Sequence, residues 1–189
     1  PRHLRRSASK TLVPHNAGRK CNAKLLSVAL SLIMFAMKRT FKNLLVTGGA
    51  GFIGSNFIRY VFEKTDIPVL GVCRGMQMLA VVSGADMIQD LTVYMSSLGK
   101  EYGYEHRNEP EIPGAYRDFA SHDVKVSGED SLLFRLTGTD TIKAVPSWHH
   151  QAVRSVDGTR LVVTGETYIA GERIIEAIER PDKTFVLGL

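Results

Sequence analysis

The chain has too few cysteines to be organised by disulfides or by a structural zinc ion. Its 189 residues include 2 cysteines, Cys21 and Cys73, which lie far apart and show no metal-ligand spacing. A disulfide-rich secreted domain is therefore excluded. We predict no metal site, and a reducing, cytoplasmic environment fits this cysteine content best.

A long hydrophobic run is also missing. The main apolar stretch, residues 25–37, contains two serines and is too short to span a bilayer, so we expect no membrane segment. A signal-peptide core and a mitochondrial presequence remain alternative interpretations of this acid-free, basic start. We favour Met37 as the natural start, with residues 1–36 as a disordered basic extension.

Acidic residues are scarce in the first third of the chain. Residues 1–66 hold 12 Lys and Arg against 2 Asp and Glu, whereas residues 67–189 hold 12 against 17. A basic arm can bind nucleic acid, but no aromatic residue alternates with the basic ones before Phe35. We therefore expect no nucleic-acid partner. The asymmetry equally fits two unrelated pieces that have been joined.

A glycine-rich turn follows the first predicted strand, residues 43–47. It places Gly48, Gly51 and Gly54 before a helical pattern for which Ser55 or Asn56 is the expected cap. Glycines between a strand and a helix let the backbone approach a pyrophosphate, so the pattern predicts a Rossmann-type βα unit.

Residues 37–66 resemble the amino terminus of dTDP-glucose 4,6-dehydratases, which bind NAD. NAD is therefore the cofactor in an alternative interpretation that uses these three glycines. The acidic residue expected about 20 positions further on, which would bind the ribose, is missing. The preferred interpretation has no cofactor.

A second motif, Gly71-Val-Cys-Arg-Gly75, joins an apolar strand at residues 69–72 to an apolar helix at residues 74–82. A nucleophile between a strand and a helix is typical of a nucleophile elbow. We expect a strained backbone at Cys73, and we expect a Cβ at either glycine to crowd the strand against the helix. On this motif alone, a buried core cysteine is an equally good interpretation.

Residues 68–79 resemble the nucleophile segment of class I glutamine amidotransferases, most closely the gamma-glutamyl-gamma-aminobutyrate hydrolase branch. Later segments match in order: 83–84, 89–91, 122–124, 131–133, 147–153, 161–164, 175–179 and 185–188. The resemblance implies an α/β, three-layer, flavodoxin-like fold over residues 67–189. It implies a mostly parallel sheet with an antiparallel strand meander, incomplete at both ends.

The resemblance also implies roles for individual residues. Cys73 would be the nucleophile, the backbone N–H of Arg74 one oxyanion donor, and Gly49, in a matching Gly-Gly loop, the candidate second donor. Gln77, His149 and His150 would line the substrate site. The family's general base and its orienting glutamate follow the strand that matches residues 185–188, and they are expected to be absent because the sequence ends at Leu189.

The preferred function is thus a gamma-glutamyl amide hydrolase or amidotransferase-like protein with weakened activity. Its partner would be a small gamma-glutamyl substrate, and a homo-oligomer is left open. The alternatives are an NAD-binding dehydratase-like fragment and an inactive fusion product. Residues 92–120 are expected to form an irregular loop, with His106 and His122 as ordinary loop and strand-edge residues.

Overall fold

Alternating helices and strands build the described part of the molecule, which lies within one unit, Val46–Leu189. The computed structural model describes Val46, residues 52–107 and residues 119–189. The helices are α1 (Phe52–Lys64), α2 (Arg74–Ser83), α3 (Leu91–Ser97) and α4 (Leu132–Thr137). The strands are β1 (Val69–Gly71), β2 (Asp86–Ile88), β3 (Ala120–Val126), β4 (Thr141–Ser147), β5 (Ala152–Ser155), β6 (Val162–Ile169), β7 (Glu172–Glu179) and β8 (Val186–Gly188).

The strands form one mixed sheet of eight strands. Its main order is β1-β8-β7-β6-β3-β4, and β5 pairs with both β7 and β2. Among the described strands, β1 and β8 pair in parallel and the other six pairings are antiparallel. The predicted strand meander, β6 to β8, is therefore present, and it contributes more of the described sheet than the predicted parallel part.

The short connection between β6 and β7 explains why this pair is antiparallel. It consists of Ala170 and Gly171, which both have positive φ, 46° and 81°. A two-residue turn of this kind can only reverse the chain, whereas parallel neighbours need a long crossover. β1 and β8, which pair in parallel, are far apart in sequence and so have room for the crossover that a parallel pair needs.

Helices α1 and α2 cover one face of this sheet. Phe62 of α1 and Met76 and Leu79 of α2 are buried together with Ile175 and Ile178 of β7. Each of these side chains stabilises the fold by about 1.5–3 kcal/mol through burial. α2 ends where expected, because Gly84 takes the left-handed conformation and its N–H bonds to the carbonyl of Val81.

Two expectations about helices were wrong. α1 already begins at Phe52, so Ser55 and Asn56 lie inside the helix and do not cap it. Part of the expected loop at 92–120 is helical, because Asp90 caps α3 by accepting the N–H of Val93 at 2.9 Å. Leu91 and Met95 then bury one face of α3. Within the described residues, we find no helix with the length and hydrophobicity needed to cross a membrane.

Candidate functional site

Cys73 lies at a sharp turn between β1 and α2, as the motif predicts. Its φ is 51° and its ψ is −107°, a conformation that side-chain-bearing residues rarely adopt. The turn is held from outside the helix. The N–H of Cys73 donates to the carbonyl of Leu189 at 2.5 Å, and the N–H of Leu189 donates to the carbonyl of Gly71 at 2.8 Å. The thiol is exposed, so the alternative of a buried core cysteine was wrong.

The two glycines that flank the turn differ. A Cβ at Gly71 would lie 2.7 Å from the backbone carbon of Gly75 and 2.8 Å from a methyl carbon of Leu79, so the expected crowding is confirmed there. A Cβ at Gly75 would meet nothing within 4 Å, so the same expectation was wrong for that glycine. Only the strand side of the turn is sterically closed.

Arg74 is the first residue of α2. The first N–H groups of a helix have no partner inside the helix, and the dipole of the helix favours negative charge at this end. The neighbouring N–H of Gly75 is already used, since it donates to the carbonyl of Val72 at 2.8 Å. This position is compatible with the predicted oxyanion role of the Arg74 N–H.

A cavity of about 900 Å³ lies next to the turn. Its lining combines the thiol with titratable and amide side chains and with an apolar wall. The polar lining residues include Cys73, Gln77, His122, His149 and Glu176, and the apolar ones include Val124, Leu133, Ile142 and Val145. The volume is suitable for a small molecule that has both polar and aliphatic parts.

Four titratable side chains from separate segments meet beside this cavity. His106 comes from the loop after α3, His122 from β3, His149 from the link between β4 and β5, and Glu176 from β7. Each offers one ligand-type atom, and these atoms all lie within 4.8 Å of one another. Among the described residues, these four form a group able to hold a metal ion.

Glu176 is the centre of this histidine cluster. His106 Nε2–H donates to Glu176 Oε1 at 2.8 Å, while Oε2 lies 3.6 Å from His149 Nε2 and 4.0 Å from His122 Nε2. The Glu176 side chain is only 10 % exposed and that of His106 is fully buried. A β-strand thus brings a carboxylate into an almost closed polar site.

Burial and charge have opposite effects within the cluster. Burial alone would raise the pKa of the Glu176 carboxyl, but hydrogen bonds from His106 and His149 and their positive charge lower it to about 2. Burial lowers the pKa of His122, and the positive charge of the neighbouring histidines adds to this effect, whereas Glu176 opposes it. At neutral pH the cluster therefore combines an ionised carboxylate with an imidazole that resists protonation.

The predicted substrate residues lie in different places. Gln77 and His149 line the cavity, and the Gln77 amide donates to the carbonyl of Gln151 at 3.0 Å. His150 is exposed and its Nδ1 lies 3.3 Å from a guanidinium nitrogen of Arg107. Gly54 lies in α1. Gly48, Gly49 and Gly51, and with them the second oxyanion donor and most of the glycine turn, lie outside the described residues.

Sequence reasoning missed three members of the cluster: His106, His122 and Glu176. Glu176 carried a usable signal, since it is a lone acid at the centre of the apolar run Ile174–Ile178. A buried acid in such a strand needs a partner. His106 gave no such signal, because it precedes a charged, irregular stretch and has no periodic neighbours.

Comparisons with known proteins agree with this geometry. The family model described as Peptidase C26 matches residues 55–189, which include part of the segment expected to be dehydratase-like. Protein NtpR of Enterococcus hirae is 35% identical over 120 residues, 64% of this chain and 44% of that protein. Gamma-glutamyl-gamma-aminobutyrate hydrolase PuuD of Escherichia coli is 31% identical over 123 residues, 65% of this chain and 44% of that protein. This chain thus spans less than half the length of these two curated relatives.

The fold resembles that of a solved glutaminase domain. The glutaminase domain of Trypanosoma brucei CTPS with bound acivicin superposes with a TM-score of 0.51 at 15% identity, covering 92% of this chain and 81% of that one. This likeness confirms the predicted flavodoxin-like amidotransferase fold. The comparisons lend no support to the dehydratase resemblance, so NAD binding and the domain boundary at residue 66 stay predictions. The chain belongs to the peptidase C26 family of class I glutamine amidotransferase-like proteins.

Proposed function

We propose that this chain hydrolyses the side-chain amide bond of a small gamma-glutamyl compound, with Cys73 as the nucleophile. One observation carries the proposal: an exposed thiol in a strained strand-to-helix turn that borders a cavity of about 900 Å³. Such a turn presents a nucleophile clear of the strand and the helix that flank it. The family membership supports the same reaction class.

The proposed reaction has two halves. The Cys73 thiolate attacks the amide carbon, the C–N bond breaks, and the amine leaves with a proton, so that a gamma-glutamyl thioester remains. Water then attacks the thioester carbon, which releases glutamate and restores the thiol. The Arg74 N–H, at the amino end of α2, would stabilise the oxyanion in both halves. In this family the proton carrier is a histidine that follows the strand matching β8. The residue directly after β8, Leu189, is hydrogen-bonded to the turn.

The lining of the cavity suggests the class of substrate. Gln77 and His149 offer polar groups for the glutamyl part, while Val124, Ile142 and Val145 offer an apolar wall for the amine. The name of the Escherichia coli relative describes a gamma-glutamyl compound of an aliphatic amine. We therefore propose an amide of an aliphatic amine as the substrate, in preference to free glutamine.

Labelling with acivicin, a glutamine-analogue electrophile, tests the nucleophile. We expect intact mass measurement to show one label per chain, and we expect Cys73→Ala to abolish it. Cys21→Ser is the matched control and should keep the label. An excess of gamma-glutamyl-gamma-aminobutyrate should protect the thiol better than the same excess of glutamine. Labelling that persists in Cys73→Ala would contradict the proposed nucleophile, and equal protection by both compounds would contradict the proposed substrate class.

A further inference from the structure

We propose that His122, His149 and Glu176 form a binding site for a divalent first-row transition-metal ion, with His106 holding the carboxylate in place. The site does not use Cys73, but it shares His149 with the proposed substrate lining of the same cavity. It rests on the direction in which the two imidazole lone pairs point. This direction follows from the contacts that Nδ1, on the other side of each ring, makes with a backbone carbonyl oxygen.

The orientation of His149 leaves its Nε2 free to bind a cation. Its Nδ1 lies 2.9 Å from the carbonyl oxygen of Gln151. Because a carbonyl oxygen only accepts, Nδ1 must carry the hydrogen, and in the neutral ring Nε2 then carries a lone pair. Glu176 Oε2 lies 3.6 Å from this nitrogen, so either a proton on Nε2 or a metal ion in its place can pair with the carboxylate. Metal-binding histidines typically donate their second ring nitrogen to a backbone carbonyl in this way.

His122, on β3, has a similar arrangement. Its Nδ1 lies 3.5 Å from the carbonyl oxygen of Asp123, so a hydrogen on Nδ1 has an acceptor at the outer limit of hydrogen-bond distance. Its Nε2 is buried and has no hydrogen-bond partner among the described residues. This nitrogen also faces Glu176 Oε2, at 4.0 Å, and the side chain is only 9 % exposed. A metal ion between this nitrogen and the carboxylate oxygen would satisfy both groups, as a proton on Nε2 also would.

His106 fixes the third ligand. Its Nε2–H donates to Glu176 Oε1, which directs the other carboxylate oxygen, Oε2, toward His122 and His149. Outer partners of this type orient the ligating carboxylates of metal sites. Two imidazoles and one carboxylate therefore converge on one point, and a hydrogen-bonded group supports the carboxylate from behind.

The distances suit a small transition metal ion. Ligands at about 2.0–2.2 Å from a tetrahedral ion lie about 3.4 Å apart. The separations of 3.6 and 4.0 Å from Glu176 Oε2 need a contraction of at most about 0.6 Å. Imidazole nitrogens favour zinc, cobalt, nickel or iron over magnesium or calcium. All three ligands line the cavity, so further coordination positions are open to a small molecule.

Calorimetric titration of the full chain tests the site. After removal of metal ions with a chelator, we expect one Zn²⁺ per chain to bind, and Mg²⁺ to leave the signal unchanged. His122→Ala should weaken Zn²⁺ binding by at least about 100-fold, since loss of an outer partner already costs about 10–100-fold. His150→Ala is the matched control, because His150 is the adjacent histidine outside the cluster, and it should retain the affinity. His122→Asn serves as a second variant if the alanine variant misfolds.

Cobalt absorption distinguishes this site from binding by the thiol. We expect Co²⁺ to give visible bands without thiolate charge transfer, and we expect Cys73→Ala to leave the spectrum unchanged. Zn²⁺ binding that survives both His122 variants, or that disappears in Cys73→Ala, would overturn the proposal. Absence of Zn²⁺ and Co²⁺ binding at millimolar concentration would also overturn it and would show that the cluster is held by protons alone.

Discussion

The thiol turn and the histidine cluster border the same cavity, but they are built in opposite ways. The turn is made by five consecutive residues, 71–75, and its conformation follows from their order. The cluster is assembled from four segments that lie up to 70 residues apart in sequence. Outside its own five residues the turn is held by two hydrogen bonds to Leu189, whereas the cluster exists only when the whole sheet is in register.

The largest loss of stability should come from adding a side chain at Gly71, where the turn has no space for it. Gly71→Ala places a Cβ 2.7 Å from the backbone of Gly75, which cannot move away without distorting α2. We expect the free energy of unfolding to fall by about 3 kcal/mol, at the upper end for overpacking. Chemical denaturation monitored by circular dichroism would measure it.

Gly75→Ala is the matched control for this substitution. Its Cβ would meet nothing within 4 Å, and alanine is favoured over glycine inside a helix by about 0.5–1 kcal/mol. We expect the stability to stay constant or to rise slightly. Equal losses in both variants would show that the turn, and not the close contact at Gly71, sets the requirement for glycine.

A smaller loss of stability should follow when the histidine cluster loses the negative charge of Glu176. Glu176→Gln keeps the shape of the side chain but removes the carboxylate that accepts from His106. Because hydrogen bonds to buried charged groups contribute about 1.5–3 kcal/mol, we expect a loss of about 2 kcal/mol in chelator-containing buffer. Glu172→Gln on the same strand breaks a surface pair with Lys100 and should cost less than about 1 kcal/mol. A larger loss for Glu172→Gln would contradict the central position of Glu176.

The loss in Glu176→Gln should also depend on pH, which separates the cluster from the turn. The folded pKa of Glu176 lies at about 2, below its ordinary value of 4.5. Its stabilising contribution is therefore complete above about pH 4.5 and is lost as pH falls toward 2, with a slope of at most about 1.4 kcal/mol per pH unit. His106, His122, His149 and Tyr102 face or neighbour this carboxyl, so the slope should be taken as the difference between the original chain and Glu176→Gln. A difference that does not change between pH 5 and pH 2.5 would contradict the lowered pKa.

Local features of the sequence predicted most of the elements around the turn. The extent of α2 and the strained Cys73 follow from short-range patterns, and the strand meander follows from the family resemblance. The helix α3 also had such a signal, since Asp90 precedes apolar residues at Leu91 and Met95. The composition of the surrounding residues, rich in tyrosine, glycine and charge, hid it.

The cluster was beyond prediction for a physical reason. His122 lies on an alternating strand, where a histidine near the edge is unremarkable, and only the register of β3 brings it to Glu176. That register depends on the pairing of β3 with β6 and of β6 with β7. A shift of one residue would turn the side chain to the other face. No local pattern contains this information.

The two hydrogen bonds between Leu189 and the thiol turn have a consequence for how reactivity and stability are coupled. Both bonds are made by Leu189, directly after β8, and they hold the turn on both sides of Val72. A peptide that contains only β1 and α2 would have the motif without these two hydrogen bonds, and its cysteine would relax to an ordinary backbone conformation. Any local opening that frees the edge of β8 would therefore release Cys73 from its strained conformation before the sheet unfolds. Hydrogen exchange at the N–H groups of Cys73 and Leu189 should then follow one shared opening equilibrium.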